Sequence, residues 1–577
     1  MIFGSTDLYT NLDFTGFQIL ETPALRLACQ GRACAMFENP ERHLVFAAQG
    51  RIDNPQDLQP FTGVCSGGPE YMWRAYLAWG KKCASRLLGD WLFFACNTQT
   101  GEVFLARDQN GSGEVFYRQT PHGLVFGSSV SLLTATGKEL NLPFALSRLS
   151  RWNYEGSETQ TLFRGIEKIL PGHSLTWFGG RLTFYRYWQP EQIPLKCYKQ
   201  TQDYADELLE ITKEAVRCRI PGNAKVAAML SGGLDSGTVA YLAAECLGNA
   251  PLVTFSHVPL YPHRNPAAIP RCIADESPYI KATAATRTNI KPFLLQSATV
   301  SPIQSIRKLV AIHNSFAFNG SSANWVLDIY EHTAAQGVEV LLSGQFGNVA
   351  LSYTGSRVQL PMPPGLKALK QKVVRPLLKN LLEYRAFEAY FSSSFLNKSL
   401  LGEYGIRKDV LLNRSCSKTF FFTKQEEMMY LTQRGNRNRL ASTDSEFPFE
   451  ILDPTADSRI LEYCMAIPNQ FFFNEKSESK QVLKRMMAGR LPDMVLNEKG
   501  RGLQGSDIDQ RLITEADILI DYCRHFEKNA VFSHFADTSA MIRSLQQLKT
   551  DTPPGLGQLN CLLKLVAFGF FLEQNGF

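Results

Sequence analysis

The run Ala228-Met-Leu-Ser-Gly-Gly-Leu-Asp-Ser-Gly-Thr238 constrains this chain more than any other. An apolar stretch, Val226 to Leu230, stops abruptly at Ser231-Gly232-Gly233, and a helical pattern runs from Thr238 to Leu247. That order predicts a strand, a tight glycine turn and a helix N-terminus. Backbone N–H groups at such a turn, with the positive end of a helix behind them, form an anion site. Gly232 and Gly233 let the backbone approach a phosphate closely, and Ser231 and Ser236 add hydroxyl donors. Asp235 would repel phosphate unless a cation stood between them, which implies Mg²⁺. The loop is not of the GxxxxGK[ST] type, whose lysine reaches the β- and γ-phosphates.

The 577 residues suggest about three or four domain-sized units. A hydrophobic fraction of 44% and an aromatic fraction of 11% are ample for large cores. Net charge is +6, too weak to argue for nucleic acid. The 13 cysteines are scattered, odd in number and without a CxxC pair. They are expected to be buried, reduced thiols in the cytoplasm, not a disulfide framework or a zinc site. The start, Met1 to Asp7, shows neither a basic region nor a long apolar one, so no signal peptide is expected. Without a run of about 18 apolar residues, no membrane span is expected either. Leu559 to Leu572 is apolar but interrupted by Lys564, and reads as a buried helix.

Residues 1 to about 190 are strand-rich, with short apolar runs at Val45–Ala48, Trp91–Ala95, Val103–Ala106, Leu124–Phe126 and Ser174–Trp177. Gln49 to Asn54 reads as a turn and Tyr71 to Arg86 as a helix. From about residue 200, helix and strand patterns alternate. Asp203 to Ala215 is an amphipathic helix, and Val226–Leu230, Pro251–Ser256 and Gly337–Leu342 are strands ending in Ser or Gly. The fold class this implies is α/β, with a doubly wound parallel sheet that binds its ligand beyond the carboxyl ends of the strands.

The loop Ser231 to Ser236 resembles the SGGxDS pyrophosphate loop of the ATP-pyrophosphatase (PP-loop) enzymes, which activate a carboxylate or amide as an adenylate. Further segments are similar, in order, to those of asparagine synthetases: Ser343-Gly-Gln-Phe-Gly-Asn348, Phe447-Pro-Phe-Glu-Ile-Leu-Asp453, Lys480-Gln-Val-Leu-Lys484 and Leu491 to Lys499. The N-terminal third, through Leu87–Asp90, Ala106–Gly111, Val125–Ser129, Leu170–His173 and Tyr187-Trp188, resembles the class II glutamine amidotransferase domain, an αββα N-terminal-nucleophile (Ntn) fold. The resemblance implies an amidotransferase-like domain at 1–195 and a PP-loop synthetase domain at 196–577, acting as an ATP-dependent carbon–nitrogen ligase with Mg²⁺. Leu230 and Phe255 would hold adenine through apolar contact and strand-end backbone, with Ser256, Ser343 and Gly344 completing the nucleotide pocket. Ser231, Gly232, Gly233 and Ser236 would hold the pyrophosphate, and Asp235 the metal. Lys499 would stabilise the charge that develops as an amine attacks the adenylate. Lys480 and Lys484 fit a solvated helix face equally well.

Departures from that family narrow the expectation. Its amidotransferase uses a cysteine after Met removal as nucleophile. Position 2 here is Ile2, and its Asn-Gly oxyanion element is Gln49-Gly50, so this domain is expected to be inactive. The two acidic positions of the synthetase segment are Gln345 and Asn348, and an amide is no general base at pH 7. Gly344 to Tyr353 resembles the GQxGN…S[WY] stretch of lasso-peptide cyclases, and Arg501-Gly-Leu-Gln-Gly-Ser-Asp507 their RGLQxxD run; Asp275 to Pro278 and Asn324-Trp325 also fit. Those enzymes adenylate an Asp or Glu side chain of a precursor core peptide, and the peptide's own α-amine closes a macrolactam. The implied partners are that peptide, a leader peptidase and a leader-binding protein, with no nucleic acid. Alternatives are an asparagine synthetase or a β-lactam-synthetase-like enzyme, and, outside catalysis, a scaffold that kept the fold. The stretch Arg357 to Arg385 is strongly basic with helical apolar spacing, and reads either as a solvated helix or as a lid or docking helix.

Overall fold

The computed structural model describes residues 1–7, 16–22, 25–31, 34–150, 152, 154, 156–264, 271–354, 384–385, 387–411, 424–435, 446–474, 478–550 and 553–577. The N-terminal strands are β1 (Ile2–Ser5), β2 (Gln18–Thr22), β3 (Leu25–Cys29), β4 (Cys34–Asn39), β5 (Leu44–Ile52), β6 (Gly89–Asn97), β7 (Val103–Arg107), β8 (Phe116–Thr120), β9 (Gly123–Gly127), β10 (Glu167–Lys168), β11 (His173–Phe178) and β12 (Arg181–Arg186). They form two six-stranded sheets, β10-β8-β9-β1-β3-β2 and β12-β11-β7-β6-β5-β4. Alternation along the strands builds the layers. In β6, Leu92, Phe94 and Cys96 face the space between the sheets, where they meet Ile2, Leu27, Leu105 and Phe126. Trp91, Phe93 and Ala95 face the opposite way, into a core shared with Met72 and Ala75 of the helix Gly68–Trp79. On the other sheet, Phe3, Phe116 and Val125 pack into a core with the helices Leu142–Ser150, Ile508–Phe526 and Leu556–Asn575. The result is the αββα sandwich the landmarks imply, with one outer layer supplied largely by the C-terminal end of the chain.

The second half carries β13 (Val226–Met229), β14 (Leu252–His257), β15 (Cys272–Ile273), β16 (Ile290–Leu295), β17 (Val340–Leu342), β18 (Glu450–Leu452) and β19 (Arg501–Gly502). A five-stranded sheet runs β16-β14-β13-β17-β18 with every pair parallel. Both faces are covered, as parallel sheets require. Val226 and Ala228 point into one core with the helices Thr201–Arg217 and Leu234–Cys246. Ala227 and Leu341 point into another with the helix Ala323–Ala335. The strand order reverses between β13 and β17, and the crevice at that switch point holds the ligand in folds of this kind.

Several expectations need correction. Gln49 to Ile52 continue β5 instead of turning, because β5 pairs with β6 as far as Ile52↔Gly89. The thiols are not uniformly buried and reduced. Cys29 and Cys34 form a disulfide closing the β3–β4 connection, and Cys197, Cys246 and Cys272 are exposed. The helix Leu556–Asn575 is long and apolar enough to cross a membrane, although 67% of its most apolar stretch is buried in the protein. Of the basic stretch 357–385, only Tyr384 and Arg385 are among the described residues.

Candidate active site

The loop after β13 has the geometry the sequence anticipates. The helix Leu234–Cys246 begins at N-cap Gly233, in extended conformation. The serine hydroxyls organise the turn internally. Ser236 Oγ lies 2.9 Å from Ser231 Oγ and accepts from the Ser231 amide at 3.1 Å, and the Gly233 amide donates to Ser231 Oγ at 3.2 Å. Ser231 and Gly233 are exposed, so the turn opens outward. A helix of 13 residues stands behind it, giving the N-terminus a full dipole.

Asp235, on the first turn of that helix, points across the switch point to the loop after β17. Ser352 donates to its Oδ2 at 2.7 Å, and Oδ1 is buried without a hydrogen-bond partner. A Cβ on Gly347 would sit 2.3 Å from the Asp235 carboxyl carbon, so only glycine fits there. Burial raises the Asp235 carboxyl to about 6, with Ser352 and Lys480 acting the other way and Asp453 adding repulsion. An ionised carboxylate with an orphaned oxygen, beside a second carboxylate, fits a hard divalent cation. Asp235, with Asp453 and the amide oxygen of Asn348 nearby, would hold Mg²⁺, whose chemistry there is to neutralise phosphate charge.

Asp453, at the end of β18, accepts from the Phe346 amide at 2.9 Å and from Thr455 at 2.9 Å. It therefore ties the 3-10 turn Gln345–Val349 to the turn Pro454–Ala456. Ser343 is 3% exposed; its amide donates to the Leu452 carbonyl at 2.8 Å, and its hydroxyl accepts from Gln345. Gly344 packs directly on the helix N-terminus, where a Cβ would lie 3.0 Å from the Ser236 nitrogen.

The adenine contacts need revision. Phe255 is fully buried in the core beneath the sheet, and Leu230 is 2% exposed in the core on the other face. Neither side chain has a free face for a base, since alternation sends each into a packed layer. What the strand ends offer is backbone, joined by the Leu230 amide donating to the Phe255 carbonyl at 3.0 Å. Ser256, 1% exposed, keeps an unpartnered hydroxyl.

The lysines separate. Lys499 is exposed, its ammonium 2.8 Å from Glu478. Lys480 is the one whose charge reaches Asp235. It does not lie within a helix but stands at the left-handed N-cap of Gln481–Met486, φ 66°. Lys484 lies on the last turn of that helix.

Three participants were not assigned from sequence. Ser352 and Asp453 touch the loops just described. Glu276 accepts from the Gly232 amide, and burial raises its carboxyl. A Cβ on Gly502 would fall 2.4 Å from that carboxylate. The RGLQGSD segment is thus brought to the loop by β19, which pairs with β15 at Cys272↔Arg501. An acid at a strand's carboxyl end was the available signal for Asp453; the β15–β19 pairing left none.

Residues 207–520 match the family model described as asparagine synthase, and residues 57–188 the one described as glutamine amidotransferase domain. Asparagine synthetase [glutamine-hydrolyzing] 3 of Bacillus subtilis is 26% identical over 452 residues, covering 74% of this chain and 69% of that protein. Amidase chry2 of Gibberella zeae is 28% identical over 177 residues, covering 30% of this chain and 26% of its own length. Among solved structures, the glutamine phosphoribosylpyrophosphate amidotransferase of B. subtilis complexed with ADP and GMP is 12% identical with a TM-score of 0.22, covering 48% of this chain and 68% of that one.

Proposed function

The chain belongs to the asparagine synthase family and is an ATP-dependent amide-forming ligase that releases AMP and pyrophosphate; from that premise we propose that it is a lasso-peptide macrolactam synthetase. Its substrate is a precursor core peptide carrying an Asp or Glu acceptor. A carboxylate oxygen of that side chain attacks the α-phosphorus of ATP, and pyrophosphate leaves. The peptide's α-amine then attacks the acyl carbon, AMP leaves, and the nitrogen sheds a proton as the isopeptide bond forms. Ser231, Gly232, Gly233 and Ser236 bind the departing pyrophosphate, and Lys499 meets the charge of the second step.

The observation that carries this reading is the pair of amides, Gln345 and Asn348, where the asparagine synthetase segment has carboxylates. A nucleophile supplied by the substrate itself also accounts for a dispensable glutaminase, and makes ring closure intramolecular. The N-terminal domain is read as inactive. Ile2 is fully buried within β1. A Cβ on Gly68 would lie 2.3 Å from the Gly50 carbonyl oxygen, so the helix start closes over the Gln49-Gly50 element. A leader peptidase and a leader-binding protein are the partners this function calls for.

The test is to incubate the chain with ATP, Mg²⁺, aspartate, ammonia and a leaderless core peptide that carries an Asp or Glu acceptor. A peptide lighter by one water, with AMP and pyrophosphate, is the expected outcome. An uncyclised peptide together with asparagine formed from aspartate and ammonia would replace this reading by the asparagine synthetase one.

A further inference from the structure

The sandwich and the parallel sheet meet through a buried set of charges. From the sandwich, Arg51 on β5 pairs with Asp53 and, at 2.5 Å, with Asp90 on β6. From the synthetase side, Arg219 is 1% exposed and lies 2.8 Å from Asp457, 3.4 Å from Asp53 and 3.8 Å from Asp90. Arg459 holds Asp457 at 2.8 Å. Burial opposes ionisation of Asp457, but Arg459 and Arg219 outweigh it and hold the carboxyl well below its usual range. Asp53, Cys218 and Asp457 could themselves ring a metal ion, but Arg51, Arg219 and Arg459 already neutralise the carboxylates. Near this network, Asn110, 3% exposed, donates its amide to the Ala456 carbonyl across the same boundary.

Both attachments land on one short turn. Asp457 caps it from behind, Asn110 grips Ala456, and Asp453 precedes Pro454. Asp453 in turn holds the Phe346 amide at 2.9 Å, one residue before the Gly347 that packs on Asp235. We propose that Asp53, Arg219 and Asn110 are positioning residues for the synthetase site, through which the N-terminal sandwich fixes Asp453 and the 345–349 turn beside Asp235. A buried ionic network gains little over apolar packing in stability, which favours a role in selecting one geometry. The sandwich is then a working part of the ligase site rather than a relic. This rests on Asp235 and Asp453 lying in the ATP site.

Amide hydrogen exchange of the full chain tests the positioning without any substrate, and MgATP calorimetry tests the site. Asp53→Asn leaves an excess positive charge, and Asn110→Ala removes the second grip without changing charge. Each is expected to speed exchange at Phe346 about fivefold to tenfold, as for one loosened hydrogen bond, and to weaken MgATP binding. The variant Asp53→Asn with Arg51→Gln restores charge balance and should recover most of both. Unchanged exchange across 345–349 in Asp53→Asn and Asn110→Ala, with stability loss spread evenly over the chain, would overturn the proposal. Faster exchange in a chain whose parent binds no MgATP would uphold the positioning and count against the ATP site instead.

Discussion

Asp235 combines an ionisable group, an unpartnered buried oxygen and a neighbouring carboxylate. Function, not stability, explains such an arrangement. Replacing it by Asn keeps the shape and removes the charge. Asp235→Asn should abolish AMP formation in the presence of Mg²⁺ while melting no lower than the parent in chelator, because a neutral amide escapes the cost of burying a carboxylate. Nucleotide chromatography and a thermal scan check the two halves. Lys499 presents the opposite case, an exposed cation whose ion-pair partner among the described residues is Glu478. To act it must leave that partner when the peptide binds. Lys499→Met should slow amide formation by about 10²–10³, the loss of one charge-stabilising donor, with MgATP binding unchanged by calorimetry. Near-normal product by mass spectrometry would pass the role to Lys480, whose charge already reaches Asp235.

At the scale of elements, the helix Lys424–Gly435 begins on a buried lysine whose ammonium donates to the carbonyls of Cys464 and Ile467. Burial lowers Lys424 to about 7. Between that value and the ordinary 10.5, the unfolded chain holds a proton the folded chain lacks. The contribution of Lys424 to stability therefore rises with pH across this window, by up to about 1.4 kcal/mol per unit, and levels off below it. Thiols and phenols that burial pushes up contribute the opposite slope toward its upper end. In urea unfolding at a series of pH values, the stability of the parent relative to Lys424→Met should rise with pH across this window; equal slopes in the two would refute it. The turn Gln345–Val349 makes a steric prediction. Gly347→Ala forces a methyl into the Asp235 side chain. It should cost about 1–3 kcal/mol by overpacking and remove AMP formation even where the variant stays folded, as circular dichroism beside the nucleotide assay would report.

Over the whole molecule, the core that covers the outer face of the β1 sheet is built from both ends of the chain, with Phe3 and Val125 against Leu519, Phe568 and Phe571. Gly569 lies at its heart, where a Cβ would fall 2.4 Å from the Phe526 ring. Gly569→Ala should lower the stability of sandwich and synthetase together, in one transition by denaturant, by about 1–3 kcal/mol. Separate transitions would mean that the shared core does not couple them. The same chain, given glutamine with or without ATP, should release no glutamate above a heat-killed control, since Ile2 is packed away and Gly68 closes over Gly50.

The local parts of this protein were legible in its sequence. Val226 to Ser236 reads as a strand, a tight glycine turn and a helix N-terminus, because apolar run, glycine pair and helical period are local and agree. The parallel sheet followed from alternating periods of two and of 3.6, whereas the layered sandwich was implied only by the resemblance of the N-terminal landmarks to an amidotransferase domain. The tertiary structure alone decided which faces those elements turn to one another. Phe255 and Leu230 look like an adenine cradle in sequence, yet alternation sends both side chains into packed cores and leaves only backbone at the site. The sequence favours Lys499 over Lys480 for the charge-stabilising role, yet the structure gives Lys499 an exposed place beside Glu478 and sets Lys480 at a left-handed cap with its charge felt at Asp235. Glu276 meets Gly502, and Arg219 meets Asp53, across long sequence distances that no local pattern encodes. Those pairings depend on how the layers stack, and stacking is set by the summed burial of many residues, not by any one of them.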